Sequence, residues 1–350
     1  MYMFVEVAHC PDGNQQYILL PARTFAAVKK KRVIFSLLCV TVYAWYGFGV
    51  PKTNGAPSKK APTTKEQLGE RLFFDKILSA DKSISCASCH IPEHGFADTV
   101  ATSTGVGGKK GARNTPSCAN MGDRPYLFYD GRAGSLEDQV HFPVEDGNEM
   151  ALPMKEAVNR LRASKQYVQW FAKVFGSQPT EKNVSEAIAA YERTLETSNT
   201  PFDRYMAGNE TAMTDAEKRG REVFMSDKAK CFDCHFSPDF TGDEFRNIGL
   251  YDSVRLTDEG RYKITHNPTD LGKFKVPGLR NVAVTAPYMH NGMFTTLREV
   301  IEYYDNPYKV VTNPVNIDTL LQKPLGLTTQ EKDDLEAFLQ TLTDDRFRKK

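Results

Sequence analysis

The chain reads as mainly α, in two helical halves built on one plan. Three observations carry that reading. A Cys-x-x-Cys-His run occurs twice, at residues 86–90 and 231–235. Apolar residues recur at helical spacing behind threonine capping signals. Alternating strand patterns are nearly absent.

The halves follow a leader. Lys29, Lys30, Lys31 and Arg32 precede an uncharged apolar run over 33–50, the order of a secretory signal, long enough to stay as a membrane anchor. Residues 1–28 lie upstream of that signal, and 51–63, rich in Pro, Lys, Gly and Thr, read as a linker. The first half, 64–200, opens on Thr64-Lys65-Glu66-Gln67, a capping-box pattern, with Leu68, Leu72 and Phe73 on one face. An amphipathic stretch over 153–175 carries Val158, Leu161, Val168 and Phe171, and another over 180–197 carries Val184, Ile188, Tyr191 and Leu195. The pattern resets near Pro201. The second half, 201–350, opens on Thr214-Asp215-Ala216-Glu217 and closes on a helix over 328–342 with Leu335, Phe338, Leu339 and Leu342.

Composition agrees with packed cores: 350 residues, 40% of them hydrophobic, suit about two domains. Five basic and two acidic residues lie in the first fifty, leaving 40 Lys+Arg against 42 Asp+Glu. A near-neutral remainder predicts no nucleic-acid partner.

The doubled motif carries the chemistry. Two thiols about a helical turn apart add across the vinyl groups of one porphyrin, and the next imidazole reaches the iron. Cys86, Cys89 and His90 would hold one haem c, and Cys231, Cys234 and His235 a second. A zinc site would gather four ligands at short spacings, which the wide separation of the pairs does not favour. Cys10, Cys39 and Cys118 have no such context, and Cys118 reads as a small buried residue. Export fits, because haem c is attached outside the cytoplasm.

Further segments carry a resemblance. Leu72-Phe73-Phe74-Asp75, Gly111-Ala112-Arg113-Asn114-Thr115-Pro116, Phe128-Tyr129-Asp130-Gly131-Arg132-Ala133 and Leu136-Glu137-Asp138-Gln139 lie in the first half. Phe245-Arg246-Asn247-Ile248-Gly249-Leu250, Val276-Pro277-Gly278-Leu279-Arg280-Asn281 and Thr285-Ala286-Pro287-Tyr288-Met289-His290-Asn291-Gly292 lie in the second. Over 64–342 the chain resembles the bacterial diheme cytochrome c peroxidases. The resemblance implies two cytochrome c-like helical haem domains packed against each other, with the peroxidatic haem on His90 and the electron-transfer haem on His235. It places Glu149 and Gln139 in the distal pocket, with Pro143 on its wall, and Tyr129 between the haems. Asn114 and the backbone carbonyls of Thr285 and Pro287 would ligate a calcium ion. A small cytochrome c or cupredoxin would be the donor, the compartment periplasmic and a homodimer common.

Three departures from the family pattern stand out. In Ser103-Thr104-Gly105-Val106-Gly107, Val106 occupies the place where many members have an iron-capping His, so the first iron is expected open or water-bound without reductive activation. His94 is a possible substitute, but it follows His90 by only four residues. The axial Met of the second iron is expected fourteen residues beyond His290, where Tyr304 stands beside Tyr303; Met289 and Met293 are the softer alternatives by composition. Tyr129 replaces the usual inter-haem Trp. The leading expectation is reduction of hydrogen peroxide to water. Val106 and Tyr304 also suit a MauG-like oxidase of a partner protein's side chains, and a non-catalytic diheme electron carrier is the third reading.

Overall fold

A computed structural model describes residues 60–348. The basic cluster, the apolar run, Cys10, Cys39 and most of the linker lie outside the described residues. Among the described residues no helix is long and apolar enough to cross a membrane.

Helix α1 (Lys65–Phe74) begins where Thr64 accepts a hydrogen bond from the Gln67 N–H. The short helices α2 (Leu136–Gln139) and α3 (His141–Glu145) follow a long irregular stretch. The apolar pattern over 153–175 is two helices, α4 (Met154–Ala163) and α5 (Lys165–Phe175). Ser164 turns extended between them, and its hydroxyl caps the second by accepting from Tyr167. Helix α6 (Glu181–Glu192) ends before the expected Thr197. Then come α7 (Pro201–Met206), α8 (Asp215–Phe224), α9 (Tyr262–Thr265), α10 (Leu297–Asp305) and α11 (Thr329–Gln340). The sequence reading missed α10, although Thr296 and Glu299 form the same reciprocal capping box that opens α8 and α11. Two dipeptides, β1 (Phe245–Arg246) and β2 (Phe274–Lys275), pair antiparallel.

The duplication is physical as well as sequential. In the first half α1 crosses α6, and in the second α8 crosses α11. Each crossing is closed by a glycine: a Cβ on Gly69 would collide with the Ala187 carbonyl, and one on Gly220 with that of Asp334. Four residues after each glycine a phenylalanine, Phe73 or Phe224, enters the core. Phe73, Phe96, Phe171 and Tyr191 anchor the first core, and Phe202, Phe224, Phe240 and Phe338 the second. Near the chain's end Phe347 returns to the first core, edge-on to Phe96 at 6.4 Å.

The halves meet through matching loops. Leu127 bridges Ala133 as Tyr288 bridges Phe294, and Phe128 and Met289 hold left-handed backbone at φ 65° and 70°. This register sets Tyr129 against His290. The Asn114 N–H donates to the His290 carbonyl and the Lys275 N–H to that of Tyr129, both at 2.7 Å. Arg113 spans the junction, bonding Asp130 at 2.6 Å and Asp258 at 2.6 and 2.9 Å. Burial would raise the Asp258 carboxyl, but the Arg113 guanidinium outweighs it and holds it well below the carboxylate range.

An exposed helical Gly→Ala change gains about 1 kcal/mol in propensity. At these crossings a backbone carbonyl occupies the space, and overpacking costs about 1–3 kcal/mol or more. Gly69→Ala and Gly220→Ala are therefore each expected to lower the denaturation midpoint, and a raised midpoint would count against the crossings.

Candidate haem sites

Both Cys-x-x-Cys-His runs fold into a 3-10 turn followed by a histidine whose N–H donates to the first cysteine's carbonyl at 2.9 Å. The turn puts two thiols and one imidazole on the same side of the chain. His90 Nδ1 lies 3.0 Å from the Phe96 carbonyl, and His235 Nδ1 lies 2.9 Å from that of Phe240. Burial lowers both histidines, opposed by these carbonyls and by Pro116 and Pro277. A neutral ring donating from Nδ1 leaves Nε2 as the free donor atom. Fixing the tautomer this way is what an iron ligand requires.

The thiols are half-buried, and burial holds all four above the ordinary thiol range. Burial pushes Cys86 and Cys231 up to about 12 and Cys234 to about 11. Reactive or zinc-binding thiols need a depressed pKa instead. Among the described residues no group of three or more His, Cys, Asp or Glu is placed to hold a metal ion. A cavity of about 300 Å³ opens beside Cys231, Cys234 and His235, walled by Leu279, Leu297, Ile301, Leu335 and Leu339. Apolar walls, adjacent thiols and one oriented imidazole fit a porphyrin.

Tyr304 and Met289 also line that cavity. The Tyr303 hydroxyl turns away and donates to the Ile248 carbonyl at 2.7 Å, its ring only 1% exposed. Tyr304 is thus the tyrosine facing the site; burial, followed by the neighbouring Cys234 and Cys231, raises its phenol well above the usual value. Met293 packs in the cluster of Leu250 and Tyr303. The matched loops give an internal check on Tyr304. It follows His290 by fourteen residues, and the residue fourteen after Tyr129 is Pro143, which has no ligating atom. One copy of the fold presents a donor at this position and the other cannot.

Around the first site, Glu149 is brought close enough to Cys86 and Cys89 for its charge to act on both thiols. Burial raises its carboxyl, Asp146 adds to this, and Arg132 opposes. Met150 donates to the Pro143 carbonyl at 3.0 Å, so Pro143 and Glu149 share one turn. The Val106 N–H donates to the Glu149 carbonyl at 2.9 Å, and a Cβ on Gly105 would strike the Asn148 carbonyl, so the Val106 loop lies against the Glu149 loop. Gln139 ends α2 half-buried, and among the described residues no hydrogen bond joins it to Glu149. His94 sits in the Ile91–Ala97 turn that returns the Phe96 carbonyl to His90, on the proximal side.

At the junction the Tyr129 ring is 6.4 Å from that of His290, which stacks on Phe274 at 3.7 Å. Burial raises the Tyr129 phenol against the opposing charge of Arg113. The buried Asn114 amide donates to the Val100 and Ala101 carbonyls at 3.2 and 3.3 Å, while its oxygen lies 3.5 Å from the Tyr129 hydroxyl. Thr285 and Pro287 line the same cavity as Asn114. Sequence reasoning used His290 only as a counting mark and passed over Phe274 and Lys275. The Pro-Tyr-x-His-x-Gly run was the signal that pointed to His290.

Two helical halves, each closing on an oriented histidine beside paired cysteines, define a protein of the di-haem class. Residues 63–211 match the family described as di-haem cytochrome c peroxidase. The cytochrome-c peroxidase IdrP1 of Pseudomonas sp. (strain SCT) is 36% identical, covering 84% of this chain and 83% of its own. The methylamine utilization protein MauG of Methylophilus methylotrophus is 34% identical, covering 89% and 94%. A crystal structure of a MauG-like protein associated with microbial copper homeostasis superposes with a TM-score of 0.76 at 35% identity, covering 87% and 99%. The chain belongs to the di-haem cytochrome c peroxidase family.

Tyr304→Phe is expected to change the optical and EPR spectra of one haem, and Tyr303→Phe to leave them alone. The reverse pattern would reassign the ligand.

Proposed function

We propose that this chain carries two covalent haem c groups, on Cys86/Cys89 and Cys231/Cys234, and reduces hydrogen peroxide to water outside the cytoplasm. A small cytochrome c or cupredoxin supplies the electrons. The observation that carries the reading is the half-buried Glu149 beside the first attachment site, where Val106 and Pro143 offer no side-chain ligand. Haem bound at these sites would supply the redox-active iron that the reduction of peroxide needs.

The chain's own groups handle protons and position. Hydrogen peroxide, two protons and two electrons give two waters. Glu149 takes the proton from the oxygen nearer the first site and returns it to the departing one. Burial suits it to the task, because a carboxylate whose pKa is raised above its ordinary range is the stronger base and takes the peroxide proton more readily near neutrality. Gln139 contributes an amide to the same pocket. Arg132, held over Phe128 at 3.5 Å and paired with Asp130 at 3.0 Å, keeps Glu149 from being raised further. Tyr129 provides the aromatic bridge between halves, and His235 and Tyr304 hold the second iron. Asn114 with the carbonyls of Thr285 and Pro287 suits a calcium ion, a hard cation taking neutral oxygens. Export directed by the leader, cleaved as a signal or kept as a membrane anchor, and assembly as a homodimer go with the reading.

A second reading has a specific observation behind it. Tyr304 faces the second cavity, and an anionic phenolate there favours the oxidised iron, as suits a MauG-like oxidase of a partner protein. The two part on one measurement, steady-state peroxide consumption with a reduced small cytochrome. Fast turnover supports the peroxidase; haem spectra with negligible turnover support the oxidase. Failure of carbon monoxide or cyanide to bind either haem would leave only an electron carrier.

Glu149→Gln is expected to lower kcat/KM by roughly 10²–10⁴-fold. Glu149 works as the carboxylate, and burial raises its pKa, so native activity falls on acidification at a pH above the ordinary carboxylate range. The glutamine variant should lose that acid limb; a retained limb would exclude Glu149.

The resting oxidised protein is expected to give a high-spin EPR signal from the first haem with no reductive activation. Two low-spin signals alone would mean that another side chain caps it.

A further inference from the structure

Glu192 ends α6 with 6% of its surface exposed, and among the described residues its carboxyl makes no hydrogen bond. The crossings fix its counterpart. Gly69 meets Ala187 and Tyr191 as Gly220 meets Asp334 and Phe338, so Tyr191 corresponds to Phe338 and Glu192 to Leu339. Pro116 and Pro277 offer carbonyls to His90 and His235, and two residues further on stand Cys118 and Leu279. Leu279 and Leu339 both line the second cavity. The first half thus sets Cys118 and Glu192 where the second has two leucines. Glu192 lies near enough to Cys86 and Cys118 for its charge to act on both thiols.

An acid here is costly. A buried polar group without a partner costs about 1–3 kcal/mol, and an unpaired buried charge several more. Among the described residues no cation bonds it; Arg193, the neighbour whose charge acts on it, is engaged by Glu137 at 2.7 and 2.9 Å. The titratable groups around it are Tyr191 on α6, Arg193 at that helix's C-cap, Glu137 on α2, and the Cys86 and Cys118 thiols, with Glu70 on α1 acting on Tyr191. The Tyr191 hydroxyl, also buried, has no partner. Burial pushes Glu192 up to about 8, with Arg193 lowering it and Glu137 raising it. A neutral acid beside a redox centre responds to that centre's charge, and the coupling is reciprocal.

We propose that Glu192 is the proton-linked charge compensator of the first haem. It keeps its proton while the iron held by His90 is reduced and releases it to water when that iron loses one electron. One electron and one proton leave together, so the charge of the buried site is unchanged. In the titration the electron goes to a one-electron mediator. Tyr191 and Cys118 form its polar surroundings. The inference rests on haem occupying both sites, and haem absorbance with the mass of the intact protein reports that premise separately.

The test is a spectroelectrochemical titration of the intact diheme protein at several pH values around neutrality. The first haem's midpoint potential is expected to fall with rising pH, approaching a tenfold change in the reduction equilibrium, ~59 mV, per pH unit. Glu192→Gln should flatten that slope and leave the second haem's pH dependence as it was. A flat native slope, or a slope unchanged in Glu192→Gln, overturns the proposal. Should that variant fail to fold, redox-difference infrared spectroscopy of the native protein decides. A protonated-carboxyl band gained on reduction and lost on oxidation supports the proposal, and its absence overturns it.

Discussion

Two backbone hydrogen bonds, from Asn114 to His290 and from Lys275 to Tyr129, hold the facing loops of the halves in register. Each ties the strand-like segment of one half to the tight turn of the other, so neither loop is set by its own half alone. The Asn114 and Lys275 segments run on into Pro116 and Pro277, whose carbonyls approach the two histidines. The bonded turns carry Tyr129 and His290 and lead into α2 and α10, which point towards Pro143 and Tyr304. Proximal support, inter-site aromatics and distal positions therefore depend on the same pair of contacts. A net bond of about 1 kcal/mol is weak alone, but these are buried, and losing one leaves unpaired groups at a further cost.

Much of the frame was legible because local chemistry dictated it. Threonine N-caps opened α1, α6, α8 and α11 where expected, and at α8 the reciprocal box formed, since the cap side chain satisfies orphan N–H groups whatever the tertiary setting. The Cys-x-x-Cys-His runs were equally local. The break between α4 and α5 was not, because Ser164 keeps the apolar period while its hydroxyl caps a new helix. Helix α10 escaped because it is short, though it carries the same box. The pairing of β1 with β2 has no sequence signal, since two-residue strands cannot alternate visibly.

The site was legible unevenly. The cysteines and histidines declared themselves, and Tyr304 followed from a count; it lines the second cavity while the Tyr303 hydroxyl turns away to the Ile248 carbonyl. Glu149 looked like any loop acid, and only its burial beside the thiols distinguishes it. Glu192 drew no notice because a glutamate near a helix end is ordinarily solvated. Its meaning appears when the crossing glycines put it opposite Leu339, which needs three-dimensional register.

The duplication turns each half into a control for the other. Where the two copies agree, as in the crossing glycines, the core phenylalanines and the histidine-supporting carbonyls, the shared residue serves what both sites require. Where they differ, the difference marks what one site does and the other does not. Pro143 against Tyr304 sets a residue with no ligating atom against one with a phenol. Tyr129 against His290 places two unlike aromatics face to edge at the junction. Glu192 against Leu339 gives one site a titratable neighbour and the other an apolar wall. Packing alone would favour leucine at both, since burying an unpartnered acid costs free energy that leucine does not. At these three positions the two halves, alike in frame, present unlike chemistry to their sites.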